Sequence, residues 1–250
     1  MKRIFIEKFP QLDYATNEAL NTLCTNIAFT GDNVKRILVT SCREHEGKSF
    51  VSMGLTRTLA SMDYSVVLID ADLRRSVLAS KYGIRYPADA PGLAHYLSRE
   101  MNLDDVIYAT NFRGAYMIPV GHDVVNSMQL LNSWRWKKLL DQLATRVNYI
   151  IVDSPPVGAI VDAAVAARSC DGALLVLSAN LASKQEVVHA KEQIEKSGCP
   201  VIGAVLNKVE MTRRSSKYYH RYSSYESKSY YRRAEDDSNG MANQKGVLPK

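Results

Sequence analysis

The stretch Arg36-Ile37-Leu38-Val39-Thr40-Ser41-Cys42-Arg43-Glu44-His45-Glu46-Gly47-Lys48-Ser49-Phe50 decides the fold. Its first six residues are an apolar run that predicts a buried strand over 36–41. Gly47-Lys48-Ser49 then opens a helix predicted over 48–61. A loop between a strand and a helix can aim backbone N–H groups, and the positive end of the helix dipole, at an anion. Lys48 is placed to reach the β- and γ-phosphates of a nucleoside triphosphate, and the Ser49 hydroxyl to bind Mg²⁺. The candidate nucleotide-binding residues are therefore Cys42, Arg43, Glu44, His45, Glu46, Gly47, Lys48, Ser49 and Phe50. The loop is irregular. Cys42 stands where Gly or Ala is usual and His45 where Gly is common, and a non-Gly residue adopts such dihedrals at a cost of roughly 1 kcal/mol or more. A thiol beside a helix N-terminus is also expected to be activated.

Two more motifs lie outward along the chain. Val66-Val67-Leu68-Ile69-Asp70-Ala71-Asp72-Leu73-Arg74-Arg75 sets two carboxylates at i and i+2 just past an apolar run. Tyr149-Ile150-Ile151-Val152-Asp153-Ser154-Pro155-Pro156 sets another at the end of a similar run. Open α/β sheets bind ligands at the C-terminal ends of their strands. Three carboxylates and the Ser49 hydroxyl around a triphosphate suit a hard cation such as Mg²⁺.

The remaining pattern alternates short Val/Ile-rich runs with amphipathic stretches. Strands are expected at 36–41, 65–71, 115–120, 148–154, 172–178 and 200–207, and helices at 16–29, 48–61, 127–146, 158–168 and 183–197. The fold class is α/β: an open, mostly parallel sheet with helices on both faces. Trp134 and Trp136 are expected to pack. Residues 1–15 read as a lead-in, 16–210 as the nucleotide-binding domain and 211–250 as a flexible tail without enough apolar surface to fold alone.

Apolar residues make up 46% and charged residues 23% of the 250-residue chain, ordinary values for a globular protein. The four cysteines are scattered and form no metal or disulfide framework, so reduced thiols are expected. No stretch is long and apolar enough to span a membrane, and the charged N-terminus does not read as a secretory signal, so a cytoplasmic location is expected. From Thr212 to Lys250 nine basic residues face four acidic ones, which is +5 of the formal +6. Such a basic tail suits nucleic acid or anionic lipid, and composition does not separate these from a merely soluble tail.

With these three motifs in order, the chain resembles the bacterial P-loop tyrosine kinases that serve capsule and exopolysaccharide synthesis. The resemblance runs over about residues 15–210, and the tail adds Tyr218, Tyr219, Tyr222, Tyr225, Tyr230 and Tyr231, six of 14 tyrosines. It implies ATP and Mg²⁺ as cofactors and an autokinase that phosphorylates that cluster. It implies Lys48 on the phosphates, Ser49, Asp72 and Asp153 on the metal, and Asp70 either beside them or as acceptor of the tyrosine proton. Asn207 is a weaker candidate for the nucleotide base, and Arg74 and Arg75 are candidates either for transition-state charge or for a surface or subunit contact. The implied partners are a separate membrane-spanning activator of the polysaccharide co-polymerase type, which recruits the kinase to the inner face of the plasma membrane, and a cognate tyrosine phosphatase. No nucleic acid is expected. The family's Glu-x-x-Arg-x-x-Arg helix, associated with ring-shaped oligomers, reads Glu18, Asn21 and Cys24 here, which weakens the expectation of a ring. The rival readings are a partitioning-type ATPase, in which Arg43 would take the place of a lysine that reaches a partner's nucleotide, and a nucleotide-binding scaffold without kinase activity.

Overall fold

The computed structural model describes residues 2–209 apart from 88, 89, 123 and 180. In chain order the strands are β1 (Phe5–Ile6), β2 (Arg36–Ser41), β3 (Val66–Asp70), β4 (Ile84–Arg85), β5 (Tyr108–Ala109), β6 (Ala115–Ile118), β7 (Tyr149–Asp153), β8 (Gly172–Ser178) and β9 (Val201–Asn207). The helices are α1 (Tyr14–Ala28), α2 (Lys48–Ser61), α3 (Leu78–Tyr82), α4 (Leu93–Leu97), α5 (Leu103–Val106), α6 (Ser127–Leu131), α7 (Trp134–Ala144), α8 (Asp162–Ala167) and α9 (Lys184–Lys196).

Seven strands form one sheet in the order β5-β6-β3-β7-β2-β8-β9, parallel except for β5, which runs antiparallel to β6. β7 returns between β2 and β3, while β8 and β9 lie on the far side of β2. The crevice of this switch therefore opens at the C-terminal ends of β2, β3 and β7.

The apolar runs are continuous because both faces of the sheet are covered. Leu38, Val67, Ile69, Ile150 and Val152 pack on one face, in the layer that includes Leu139, Leu140 and Ala166. Ile37, Val39, Val66, Leu68 and Ile151 pack on the other, against Leu55, Leu59 and Tyr82. Full burial of each such side chain stabilises the fold by about 1.5–3 kcal/mol, which fixes the register of the strands that carry the carboxylates.

The structure departs from the sequence reading in places with clear physical causes. The helix expected over 127–146 is two helices, because Ser133 takes an extended backbone (φ −75°, ψ 155°) and N-caps α7. Trp136 is buried and its Nε1 donates to the Ala166 carbonyl at 3.1 Å, whereas Trp134 is 57% exposed and does not serve as core. The short elements β1, β4, β5, α3, α4 and α5 span two to five residues each, too few to show a period. The first residues are tied down: Ile4 is fully buried, its N–H donates to the Ala109 carbonyl at 2.9 Å, and β1 pairs antiparallel with β4. Among the described residues no helix is long and apolar enough to cross a membrane.

Candidate active site

The loop between β2 and α2 brings the predicted groups together at the crevice. Gly47 caps α2 with φ +99°, a left-handed conformation that favours glycine. A Cβ placed there would stand 2.0 Å from Asn207 Nδ2. His45, also predicted to need unusual dihedrals, has φ +62°. The loop thus adopts a left-handed turn at a non-glycine position.

Asp70 and Asp153 are paired positions on β3 and β7, so their carboxylates emerge side by side. Both are almost fully buried. Burial pushes Asp153 up to about 6, against the lowering effects of the Lys48 charge and the Ser49 and Ser52 hydroxyls. Ser52 Oγ donates to Asp153 Oδ1 at 3.0 Å. Burial and then the Asp153 charge raise Asp70 well above the usual carboxylate range. Ser76 Oγ donates a short hydrogen bond to Asp70 Oδ2, while Asp70 Oδ1 is buried with no hydrogen-bond partner among the described residues. Asp72 is half-buried and accepts the Arg75 N–H at 3.1 Å. Its carboxyl is raised by burial, and the Lys48 charge opposes the rise.

These carboxylates fit a divalent cation beside a triphosphate. Two adjacent buried carboxyls with displaced pKa values and one orphaned oxygen lack positive charge, and Lys48 supplies only part of it. Among the described residues no three Cys, His, Asp or Glu groups could hold a metal by themselves. Mg²⁺ takes one or two carboxylates and completes its shell with water and substrate phosphates.

The segment after Asp153 is sewn to the same loop. Thr40 Oγ1 donates to the Pro155 carbonyl at 2.9 Å, and the Val157 N–H donates to the Ser41 carbonyl at 2.9 Å. Gly158 lies so close that a Cβ would meet the Cys42 carbonyl oxygen at 2.2 Å.

Several predicted residues have other occupations. The Cys42 thiol is not activated: it is buried, its Sγ lies 3.7 Å from the Glu186 carbonyl, and burial pushes it up to about 11, helped by the charges of Glu46 and Glu186. Burial outweighs the helix terminus. Arg43 forms an ion pair with Glu186 at 2.6 Å, and Arg74 one with buried Asp162 at 2.9 Å. Both guanidinium side chains are about half exposed and pair within the chain. Asn207 donates through Nδ2 to the Glu46 carbonyl at 2.9 Å, so one of its two N–H donors reaches the loop. On α1, Asn21 donates to Glu18 at 3.2 Å, and Cys24 is buried, so it offers no surface contact. The six tail tyrosines lie outside the described residues.

Sequence reasoning missed Ser52, Ser76, Lys81 and Glu186. Ser52 was legible, because it stands one helical turn after Ser49 and shares its face. Lys81 of α3 comes near Lys48 and Asp153 only through the fold, and partial burial lowers its pKa.

The chain matches the family described as ParA, NUBPL iron-transfer P-loop NTPase, over residues 33–240. It is 39% identical over 194 residues to the tyrosine-protein kinase CpsD of Streptococcus agalactiae serotype III (strain NEM316), covering 78% of this chain and 83% of that protein. The chain belongs to the bacterial P-loop tyrosine kinases. Among solved structures, the kinase domain of the Escherichia coli tyrosine kinase ETK superposes with a TM-score of 0.71 at 30% identity, covering 78% of each chain. The Pyrococcus furiosus cell division ATPase MinD superposes with a TM-score of 0.61 at 26% identity, covering 72% of this chain and 74% of that one. The chain thus shares its fold with both a tyrosine kinase domain and a cell division ATPase.

Proposed function

We propose that this tyrosine kinase transfers the γ-phosphoryl group of ATP to the tyrosines of its own C-terminal segment, Tyr218, Tyr219, Tyr222, Tyr225, Tyr230 and Tyr231, and thereby regulates capsule or exopolysaccharide synthesis. The observation that carries this is the juxtaposition of Lys48 and Ser49 with the side-by-side carboxylates Asp70 and Asp153 at the phosphate loop. In the transfer a tyrosine oxygen bonds to the γ-phosphorus, the bond to the β,γ-bridging oxygen breaks, and ADP leaves with that electron pair. Lys48 holds the β- and γ-phosphates. Ser49, Asp72 and Asp153 would hold Mg²⁺, which would supply neutralisation of the phosphate charge when bound. Asp70, with a raised pKa and an unpartnered oxygen, accepts the tyrosine proton. Phosphoryl transfer depends chiefly on such positioning and charge neutralisation.

The Arg43–Glu186 ion pair favours the kinase reading over the partitioning-type one, because it engages within one chain the cation that the rival would send to a partner. A separate membrane-spanning activator at the inner face of the plasma membrane, a cognate phosphatase and transfer between neighbouring copies complete the proposal. The test is incubation with ATP and Mg²⁺, with and without an activator fragment, and detection of phosphotyrosine. Wild type gains signal at a rate that rises with protein concentration; Lys48→Met and a six-fold Tyr→Phe tail variant do not. Wild type without phosphotyrosine under every condition refutes the kinase, and a rate independent of dilution refutes transfer between copies.

A further inference from the structure

The irregular loop carries Cys42 and His45 at positions where small residues usually serve. Glu46 is fully buried, and its side chain turns back beneath the loop. Its Oε2 accepts the Arg43 N–H at 2.7 Å, and its Oε1 accepts the Ser178 N–H, at the end of β8, at 3.3 Å. Two consecutive carbonyls of the loop are held from the end of β9. Asn207 Nδ2 donates to the Glu46 oxygen at 2.9 Å, and Lys208 Nζ donates to the His45 oxygen at 2.6 Å.

A trans peptide carries its C=O and its N–H on opposite sides. Holding the His45 and Glu46 oxygens against β9 therefore turns the N–H groups of Glu46 and Gly47 to the opposite face of the loop. Among the described residues neither N–H has an acceptor within the protein. We propose that Glu46, Asn207 and Lys208 are positioning residues, a three-point brace that aims these two N–H groups at the nucleotide's phosphates. In this arrangement Glu46 touches no phosphate, since its carboxylate is consumed beneath the loop and would repel one. Asn207 supports the loop and does not read the base. The Ala179 N–H donates to the Asn207 carbonyl at 2.9 Å, so β8 and β9 hold each other as well as the loop.

The inference rests on the reading of this loop as the nucleotide site, and the experiment separates the two. Affinities for ATP, GTP and inorganic tripolyphosphate, which has no base, are measured by calorimetry with Mg²⁺ for wild type, Glu46→Gln, Glu46→Ala, Asn207→Ala and Lys48→Met. The brace predicts that Asn207→Ala weakens all three ligands by one common factor and leaves the ATP-to-GTP ratio unchanged. Glu46→Ala weakens ATP and tripolyphosphate equally, by about 10- to 100-fold, the loss expected for hydrogen bonds to a charged acceptor. Glu46→Gln loses less, because its amide oxygen keeps the shorter bond to Arg43 while its NH₂ faces the Ser178 N–H. Adding His45→Gly to Glu46→Ala recovers part of the affinity, because glycine accepts the left-handed turn without strain.

A change of more than threefold in the ATP-to-GTP ratio of Asn207→Ala overturns the brace, as does unchanged tripolyphosphate binding in the Glu46 variants. Melting curves accompany each titration; if Glu46→Ala does not fold, Glu46→Gln and Asn207→Ala decide the question. Lys48→Met tests the site itself. If it binds all three ligands as wild type does, the nucleotide-site reading fails and the brace falls with it; if Lys48→Met is weak and the other variants are normal, only the brace fails.

Discussion

Replacing Gly47 by Ala tests the geometry of the phosphate loop with a single methyl group. At φ +99° an L-residue is strained by roughly 1–2 kcal/mol. The new Cβ would also lie 2.0 Å from Asn207 Nδ2, so that side chain must move and release the Glu46 carbonyl. A lost hydrogen bond of this kind costs about 1 kcal/mol. The total is about 2–3 kcal/mol. The unliganded loop escapes most of it by relaxing, so nucleotide binding must restore the strained form. At about 1.4 kcal/mol per decade, affinity falls by about 30- to 150-fold. Whatever the loop does not shed appears as lost stability, at about 2–4 °C of melting temperature per kcal/mol for a domain of this size. Titration with a fluorescent ATP analogue in Mg²⁺, together with thermal melts, measures both parts. A variant that binds within threefold of wild type and melts within about 1 °C of it would refute the loop geometry described above.

Two further expectations follow from the buried titratable groups. Burial raises Asp153 from 3.8 to about 6, so its contribution to the stability of the unliganded domain is present below about pH 4 and lost as pH rises through 6. The difference is on the order of 3 kcal/mol. The unliganded protein should therefore melt higher at pH 5.5 than at pH 7.5. Asp153→Asn should flatten that slope and raise the melting temperature at pH 7.5. Mg²⁺ with nucleotide favours the carboxylate, so its binding should weaken below pH 6; a variant profile that overlays wild type would contradict this account of Asp153. The second expectation concerns the thiols. All four cysteines are free, and burial raises Cys24 to about 12, Cys42 and Cys199 to about 11, and Cys170 well above its usual value. Ellman's reagent at pH 8 should react slowly with the native protein and rapidly in guanidinium. Rapid native labelling at Cys42 that ATP blocks would restore the activated thiol that the sequence suggests.

The sequence by itself determined the type of sheet and the order of its motifs. An apolar run that is buried on both faces must be a central strand, so 36–41 and 172–178 matched β2 and β8 to the residue. The strand-loop-GKS-helix order and the carboxylates at two strand ends follow from local chemistry alone, as does the left-handed turn expected near His45. Short elements such as α3 and β4 were not legible, because their residues are ordered by packing on the core. Only the tertiary structure decided what each side chain touches. It paired Asp70 with Asp153 through the register of β3 and β7, although they stand 83 positions apart in the chain. It brought Glu186 to Arg43 and Asp162 to Arg74. It buried Cys42, where desolvation of the thiolate outweighs the helix terminus. Asn207 meets the Glu46 carbonyl for the same reason: hydrogen-bond partners remote in sequence are chosen by strand order, which no local pattern encodes.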